Sequence, residues 1–550
     1  MPYDMPALDV DEERDVRDYG MLILDPISHP PPWKPLFIQL WNGYGAYGKQ
    51  YGAEKICAPG SRGWVELHKS GSCYLTALRT TEEERKAREP IFRERMARVL
   101  RDPWYWLRAK EELKGILERL AAFDVQKAGD MELASHFLDA VFSSKQMQEF
   151  HFDPMYALGE GYILFRKLCP EATGIKVTDP EFATLMSGFD NDQFRAARGL
   201  AELATRALEM KLDDNFKLPD EEVVPALEQS DLGRKWLQGF WDYLKFWGLQ
   251  RQQWREMSSP TWQEKPSLAI AEIKRAMAIG GVHAPELERE RLVKEREEAE
   301  RQVIAKVAHG ERDWFRNLMA CTQASHVFSE DHGYWCEGVQ VSLVRRAAVE
   351  IGKRFVNAGA LDHYEDVLYL LYNEIVHAAA SKEKSNVRQI AQRRKAEYEA
   401  NVAKFWELPR FLGDPRLIPE LVENDAIFGV AIAPQVARPE EVGATLVGAA
   451  GAPGVAEGIA RVVMTDVQMD EIQPGEILVA PVTNPTWTPI FSMLKAVVTD
   501  GGGYLAHAII IARDHGIPAV VGTMEATRKI KTGDRIRVNG NLLRVHVLQP

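Results

Sequence analysis

Residues 497–522 read VVTDGGGYLAHAIIIARDHGIPAVVG and carry the clearest structural signal of the chain. An apolar run ends at Thr499, three glycines follow, and a helical pattern begins near His507 and stops at Gly516. A strand, a glycine turn and a helix N-terminus together present free backbone N–H groups and the positive end of a helix dipole to an anion. This order predicts an anion-binding turn in front of His507.

The histidine decides what chemistry such a turn supports. A neutral imidazole nitrogen is nucleophilic near pH 7, and a phosphorylated imidazole keeps a good leaving group. Glycines adopt backbone angles closed to other residues and let a phosphoryl group approach the main chain. His507 is therefore the predicted nucleophile, and the predicted phosphate-binding residues are Gly501, Gly502, Gly503, Thr499 and Arg513. A purely structural turn beside a buried, hydrogen-bonded histidine would explain the same spacing, so the spacing leaves both interpretations open.

Composition divides the chain of 550 residues into several parts, as its length predicts. Residues 1–102 are punctuated by proline and glycine and predict a small mixed N-terminal segment. Residues 103–412 show apolar positions at three- and four-residue spacing, which predicts a helical domain. Residues 413–450 contain four prolines and several glycines, which favours a linker or hinge. Residues 451–550 alternate β-branched runs with short helical patterns, which predicts a compact domain of strands and helices.

The charge balance argues against some partners. The formal net charge is −12, whereas nucleic-acid binding rests on clustered Lys and Arg, so no nucleic-acid partner is expected. No apolar run approaches the ~20 residues that cross a bilayer, so no membrane partner is expected either. The acidic start MPYDMPALDVDEERD lacks the layout of a signal peptide, and a cytoplasmic enzyme is the resulting expectation.

The C-terminal hundred residues resemble a known family. The strings AGAPGVAEGIARVV, PGEILVAPVTNPTWTPIF, the 497–522 stretch and GDRIRVNG follow one another as in the swivelling phosphohistidine domain of the dikinase-type, phosphoenolpyruvate-utilizing enzymes. These include phosphoenolpyruvate synthase, pyruvate phosphate dikinase, rifampicin phosphotransferase and phenylphosphate synthase. The resemblance implies an α/β swivelling domain that is phosphorylated on His507. Ala506 stands where many relatives carry Ser or Thr, so one hydroxyl contact to the phosphoryl group is expected to be missing.

The resemblance also implies a partner. In the dikinases an ATP-grasp domain phosphorylates the histidine, yet neither a VRSSA…FAGQ-like loop nor a GxxxxGK[ST] string occurs in this sequence. The chain also ends soon after His507, without room for a barrel that binds pyruvate. A separate ATP-grasp subunit is therefore expected to bind ATP with Mg²⁺ and to release AMP and phosphate. Further metal ligands, including any for Mg²⁺ near the acceptor, are not identified by the sequence.

The acceptor site is then expected in the helical region, which resembles rifampicin phosphotransferase-like and phenylphosphate synthase-like proteins in FWGLQRQQWREMSSPTWQEKPS, FSEDHGYWCEG and GALDHYEDVLYLLYNEI. On a helix, the pairs Glu330–Tyr334 and Asp331–Trp335 share neighbouring faces that suit a flat ring, with His332 as a candidate base. The candidate substrate-binding residues are Glu330, Asp331, Tyr334, Trp335, Arg251, Glu256 and Trp262. Ordinary core aromatics and surface carboxylates would produce the same pattern.

Three functions fit these observations. The first is a phenylphosphate synthase-like subunit that passes phosphate from His507 to a phenol or cresol. The second phosphorylates another alcohol, such as an antibiotic. The third is a phosphocarrier or regulatory protein, against which the large aromatic helical domain argues, because a carrier needs only the C-terminal domain.

Overall fold

The computed structural model of the chain describes residues 10–25, 32–176, 179–251, 257–278, 283–381, 386–425, 427–428, 446–464, 466–483 and 485–549. The architecture is mainly helical, with a sheet-containing domain at the C-terminus, which confirms the predicted fold class at this level. No helix in these ranges combines the length and the apolar character that a bilayer-spanning segment needs.

The α-helices are α1 (Glu12–Tyr19), α2 (Pro35–Ile56), α3 (Glu82–Arg101), α4 (Tyr105–Ala121), α5 (Asp130–Thr173), α6 (Pro180–Leu185), α7 (Asp192–Glu209), α8 (Asp220–Leu227), α9 (Asp231–Trp247), α10 (Ser267–Ala278), α11 (His283–Lys306), α12 (Arg312–His332), α13 (Gln340–Asn357), α14 (Tyr372–Ala380), α15 (Val387–Lys404), α16 (Ile418–Asn424), α17 (His507–Asp514) and α18 (Ala526–Lys529). A π-helix spans Gly333–Val339, and 3₁₀ segments include Tyr364–Tyr369, Asp466–Glu471 and Pro485–Met493.

The β-strands are β1 (Met21–Leu24), β2 (Ser61–Lys69), β3 (Ser72–Arg79), β4 (Phe411–Gly413), β5 (Leu446–Val447), β6 (Ala450–Ala452), β7 (Val455–Val462), β8 (Ile477–Ala480), β9 (Ala496–Thr499), β10 (Ala519–Val521), β11 (Arg535–Asn539) and β12 (Arg544–Gln549). They form an antiparallel four-stranded sheet in the order β2-β3-β1-β4 and an eight-stranded sheet in the order β5-β12-β11-β7-β8-β9-β10-β6.

The N-terminal segment and the helical region share one hydrophobic core. Met21 and Leu75 of the four-stranded sheet lie in the same buried cluster as Phe137 of α5 and Val341 of α13. The helix α5 is 44 residues long, so it runs for about 66 Å through the helical region. Apolar side chains of residues 1–102 therefore pack against apolar side chains of the helical region, and the two parts form a single core.

Part of the expected linker also belongs to this core. Strand β4 pairs with β1, and Leu421 of α16 and Phe428 are buried in the cluster just described. Asp425 fixes this stretch, because its Oδ2 atom accepts hydrogen bonds from Ser61 Oγ at 2.5 Å, Tyr156 Oη at 2.9 Å and Trp64 Nε1 at 3.0 Å. Residues 429–445 of the expected linker lie outside the described residues.

The C-terminal domain is built on a curled sheet. Strands β7, β8, β9 and β10 run parallel, and β11, β12, β5 and β6 are added antiparallel. Because β5 and β6 are consecutive in the chain but occupy opposite ends of the sheet order, the sheet closes on itself. The Gly448 N–H donates to Leu543 on one edge at 2.9 Å, and the Ala449 N–H donates to Val521 on the other at 2.8 Å.

Alternation along the strands separates two apolar layers in this domain. Val479 and Val498 point into one buried cluster, whereas their neighbours Leu478 and Val497 point into another, against Ile509 of α17. The β-branched runs read from the sequence thus form strands because they are buried on both faces. This packing holds α17 across the sheet and leaves its first residue, His507, at the carboxyl ends of β8 and β9.

Candidate active site

His507 is the first residue of α17, as the sequence predicts. Its helix begins after Ala506, whose backbone is extended, and the chain leaves the helix at Gly516 with φ +64°. No side chain caps the N-terminus of α17. The start of α17 therefore presents the His507 and Ala508 N–H groups and the positive end of the helix dipole beside the imidazole, while the Ile509 N–H donates to the Ala506 carbonyl at 2.9 Å.

Two threonine hydroxyls hold the imidazole. Thr483 Oγ1 lies 2.9 Å from Nδ1 of His507, and Thr488 Oγ1 lies 3.1 Å from Nε2. The ring of Phe491 meets the imidazole edge-on, with the ring centroids 5.6 Å apart. Because a neutral imidazole has one donor and one acceptor nitrogen, one hydroxyl accepts a hydrogen bond and the other donates one. The ring is thereby fixed in orientation before any reaction.

These threonines were not predicted as site residues. The sequence led us to expect a missing hydroxyl contact, because Ala506 replaces Ser or Thr. The fold places two hydroxyls, from the loop and the 3₁₀ segment after β8, on the imidazole itself, which is a different contact from one to the phosphoryl group. The signal that could have identified them is the threonine-rich string TNPTWTP, residues 483–489.

The surroundings keep His507 neutral. Burial of the imidazole, and then charge repulsion from the nearby His515, lower the pKa of His507 to about 3. Desolvation disfavours the charged imidazolium form. At pH 7 one ring nitrogen is therefore unprotonated, and its lone pair, which accepts a threonine hydrogen bond in this structure, is the group that attacks phosphorus.

The glycine loop before His507 is tightly tied to the sheet. The Gly501 N–H donates to the Pro481 carbonyl at 2.8 Å, and the Ala506 N–H donates to the Gly503 carbonyl at 3.1 Å. Gly502 has φ +112°, and a Cβ atom there would lie 3.0 Å from the Cβ of Ala506. Only glycine fits this conformation without strain, which explains the glycine at position 502.

Thr499 and Arg513 differ from the other predicted phosphate ligands. Thr499 is 1% exposed and donates its hydroxyl to the Gly501 carbonyl at 2.6 Å, so it braces the glycine loop. Arg513 lies six residues beyond His507, about 9 Å further along the helix axis. Its Nη1 atom lies 3.0 Å from Nε2 of His326 in the helical region. In this arrangement the guanidinium joins the two parts of the chain, and its Nη2 atom also donates to the Tyr504 carbonyl at 3.4 Å.

The end of α17 forms a polar interface with the helical region. The ring of Tyr504 stacks under the guanidinium of Arg166, 3.4 Å from the ring centroid. The Gly188 N–H donates to Asp514 Oδ1 at 3.4 Å. Asp514 also lies near Glu330 of α12, whose pKa is raised well above its usual range by burial first and then by Asp514 and Asp331. The predicted acceptor residue Glu330 thus faces the C-terminal domain here.

Asp331 and Trp335 meet on one face, as their four-residue spacing predicts. Asp331 accepts hydrogen bonds from Lys110 Nζ at 2.6 Å and from the Asp192 N–H at 2.7 Å. Trp335 Nε1 donates to Asp192 Oδ2 at 2.7 Å. All four side chains are buried, Lys110 pairs with both carboxylates, and Arg195 pairs with Asp192, which holds the indole in place.

Tyr334 and Trp335 belong to an aromatic cluster with Phe246 and Trp247. The ring centroids of Tyr334 and Trp335 are 4.7 Å apart, and those of Trp247 and Tyr334 are 5.2 Å apart. Phe246 is 50% exposed, so the cluster has an open side. Such rings offer edge and face contacts to a flat aromatic ligand.

The other predicted acceptor residues are dispersed. Trp262 is 3% exposed and packs in the core between α7, α8, α9 and α10, with its ring 6.4 Å from that of Tyr243. Arg251 is 1% exposed, and its backbone forms an isolated antiparallel β-bridge with that of Thr261. Glu256 lies outside the described residues. His332 is the last residue of α12, and its Nδ1 donates to the Phe328 carbonyl at 2.9 Å. Because Nδ1 carries the proton of the neutral ring, the acceptor lone pair is on Nε2.

A cleft of about 930 Å³ opens elsewhere in the helical region, between the end of α4, residues 258–265 and α13. Its wall includes Arg345, which is paired with Glu264 and Glu365, and Arg346, which donates to the carbonyls of residues 120, 121 and 123. The cleft is polar and large enough for a drug-sized ligand.

Two family models match the chain. Residues 472–542 match the mobile domain of PEP-utilising enzymes, and residues 151–328 match the fourth domain of rifampicin phosphotransferase. Chondramide synthase of Chondromyces crocatus is 30% identical over 412 residues, which are 72% of this chain and 10% of that protein. Rifampicin phosphotransferase of Bacillus subtilis (strain 168) is 29% identical over 335 residues, 60% of this chain and 36% of that protein.

The C-terminal domain alone is similar to further proteins. A probable phosphoenolpyruvate synthase of Pyrococcus horikoshii is 42% identical over 106 residues, 19% of this chain and 13% of that protein. The chain thus spans well under half the length of each of these relatives. It carries a mobile domain of the PEP-utilising enzymes, preceded by a helical region like the fourth domain of rifampicin phosphotransferase.

Proposed function

We propose that the chain is the phosphohistidine-bearing and acceptor-binding part of a dikinase-type phosphotransferase. A separate ATP-grasp subunit binds ATP and Mg²⁺ and phosphorylates His507. The C-terminal domain then moves to the helical region and transfers the phosphoryl group to a hydroxyl acceptor, with a phenol or cresol as the preferred class. The proposal rests first on the neutral imidazole of His507, held by two hydroxyls beside a glycine loop in a mobile domain.

The first half-reaction consumes ATP and water. Nitrogen of His507 bonds to the β-phosphorus, the bond from that phosphorus to the bridging oxygen of AMP breaks, and water releases the γ-phosphoryl group as phosphate. The reaction passes through a loose transition state, so the protein mainly orients the partners and stabilises oxygen charge. Backbone N–H groups at the start of α17 and those of Gly502 and Gly503 suit that role, whereas the Gly501 N–H is bonded to the Pro481 carbonyl.

The second half-reaction regenerates the histidine. The acceptor oxygen bonds to phosphorus, the nitrogen–phosphorus bond breaks, and the hydroxyl proton must be removed. The aromatic cluster of Phe246, Trp247, Tyr334 and Trp335 supports an aromatic acceptor, because one ring is half-exposed and the others pack behind it in edge-on and tilted contacts. The lone pair at Nε2 of His332 can accept a proton or bind a cation, and its neighbours His151 and Glu337 favour the cation.

A larger natural-product alcohol is the second candidate acceptor. Residues 151–328 match a rifampicin phosphotransferase domain, and the cleft of about 930 Å³ along α13 is large enough for an antibiotic-sized molecule. Competition between phenols and such alcohols for phosphate from preformed phospho-His507 separates the two candidates.

The test follows phosphate from ATP labelled in its β-phosphate. We expect acid-labile, alkali-stable label on the purified chain only when an ATP-grasp subunit is added, and none on His507→Asn. His546→Asn, which changes a histidine of β12 in the same domain, serves as the matched control and should be labelled like the wild type.

Two outcomes would count against the proposal in different ways. If His507→Asn is labelled as strongly as the wild type, His507 is not the nucleophile and the whole scheme is wrong. If the wild type is labelled without any partner, no separate ATP-grasp subunit is needed, but His507 can still be the residue that accepts phosphate.

A further inference from the structure

Two histidines and a glutamate converge in the helical region. His151 lies on α5, His332 closes α12, and Glu337 lies in the π-helix that follows. One nitrogen of each imidazole and one oxygen of the carboxylate all lie within 4.8 Å of one another. His151 is 2% exposed and Glu337 is fully buried. Three metal-binding side chains from separate elements thus meet inside the protein.

The π-helix makes this meeting possible. Glu337 is five residues after His332, and five residues of an α-helix turn through about 500°, which would place the two side chains roughly 140° apart. A π-helix bonds residue i to residue i+5, so it brings positions five apart onto one face. The segment Gly333–Val339 adopts this rare conformation where the two side chains need to align. Such insertions recur at functional sites.

The spacing of His151 and Glu337 fits a shared ion. Nδ1 of His151 lies 3.5 Å from Oε1 of Glu337. This separation is longer than the usual ~2.7–3.2 Å of an N–H···O hydrogen bond. Two ligands bound at about 2.1 Å and at a tetrahedral angle lie about 3.4 Å apart. The pair is therefore spaced as two ligands of one cation are.

His332 is oriented as a metal ligand. Its Nδ1 donates to the Phe328 carbonyl at 2.9 Å, and its ring stacks on that of Phe328 with centroids 4.6 Å apart. A histidine ligand commonly donates its second ring N–H to a carbonyl or carboxylate, which fixes the tautomer and points the other nitrogen at the metal. The ring centroid of His151 lies 4.5 Å from that of His332.

We propose that His151, His332 and Glu337 bind a divalent transition-metal ion such as Zn²⁺ or Mn²⁺. Two imidazoles and one carboxylate suit these ions better than Mg²⁺, which prefers oxygen ligands and retains water. A divalent cation would also offset the charge of a carboxylate held wholly out of water. Three protein ligands leave a coordination position for an oxygen ligand. The site stands independently of the function proposed for His507.

The experiment titrates the full chain, stripped with EDTA and desalted, with Co²⁺ and then with Zn²⁺. We expect one equivalent of Co²⁺ to bind with the visible absorption of a low-coordinate N/O site, and Zn²⁺ to displace it. Glu337→Gln, His332→Gln and His151→Gln should each weaken the affinity for Co²⁺ at least about tenfold. His136→Gln is the matched control, because His136 is a buried histidine on the same helix as His151 and stacks on Phe123.

Two results would overturn the site. One is a wild-type spectrum that stays that of aqueous Co²⁺ throughout the titration. The other is one-equivalent binding that survives in all three ligand variants. Should a ligand variant fail to fold, the wild-type spectrum still decides, and Zn²⁺ should raise the melting temperature of the wild type and of His136→Gln alike.

Discussion

Arg513 Nη1 lies 3.0 Å from Nε2 of His326, and this contact joins the C-terminal helix α17 to α12 of the helical region. Nδ1 of His326 lies 2.9 Å from the Thr322 carbonyl and donates to it, so Nε2 is the acceptor. Burial, and then the charge of Arg513, lower the pKa of His326 to about 3. A neutral histidine thus accepts a hydrogen bond from a charged guanidinium in a buried interface.

We expect Arg513→Leu to loosen this docking. A hydrogen bond from a charged group stabilises by about 1.5–3 kcal/mol, so its loss should raise the population of the open interface roughly tenfold or more. Hydrogen exchange of the α17 amides and of Gly188 measures the opening. His326→Leu should accelerate exchange less after Arg513→Leu than in the wild type, because the two residues share one contact. Additive effects would show that they are not coupled.

Docking should also weaken as the pH rises. Burial raises the pKa of Asp514 to about 7, and Glu330 beside it is raised as well. The other charges that face them are Arg513, Asp331 and Arg296 of α11. The docked state binds more protons than the open state between the ordinary carboxyl pKa of about 4 and pH 7, so docking loses stability across that window.

Asp514→Asn tests this dependence. The asparagine amide has no carboxylate charge to be buried in the docked state, but it keeps an oxygen that accepts from the Gly188 N–H. Docking at pH 7 should therefore become stronger, and its dependence on pH should become weaker. Glu471→Gln, an exposed carboxylate of the same domain, is the control and should behave like the wild type. An unchanged pH profile in Asp514→Asn would rule out Asp514 as the titrating group.

The threonines beside His507 should affect phosphorylation. Thr483→Val and Thr488→Val each remove a hydrogen bond to the imidazole, worth about 1 kcal/mol, so each should slow labelling of His507 roughly five- to tenfold. Thr483→Ser should restore most of the rate, since it returns the hydroxyl. The initial rate of acid-labile labelling measures the effect. Wild-type rates in both valine variants would show that the hydroxyls do not orient the ring.

Asp425 should be a stability determinant. Asp425→Ala leaves Ser61 Oγ, Trp64 Nε1 and Tyr156 Oη buried without this acceptor, and each such loss is worth about 1 kcal/mol or more. We expect the free energy of unfolding in urea, for the part of the chain that shares the core of the N-terminal segment and the helical region, to fall by about 3 kcal/mol. Glu423→Ala, an exposed residue of α16, should change it by less than about 0.5 kcal/mol. A similarly small change in Asp425→Ala would contradict the assigned role.

The local sequence pattern correctly predicts where His507 lies in the candidate active site. His507 begins its helix where the glycine turn ends, because three glycines and the following helical residues fix that conformation through neighbours in the chain. Thr483 and Thr488 could not be placed in the same way. They come from a loop about twenty residues earlier, and only the parallel pairing of β8 with β9 brings that loop over the imidazole.

Local sequence patterns suffice to predict the helical body, the β-branched strands and the strand, glycine turn and helix around His507, since these depend on periodicity and on backbone angles within a few residues. The side chains that meet across the fold are known only from its packing. That packing turns Arg513 toward His326, and it places Glu337 beside His332 through a π-helix that no local pattern indicates. The physical reason is that such contacts depend on how separate elements pack, and apolar burial, which drives that packing, does not depend on sequence distance.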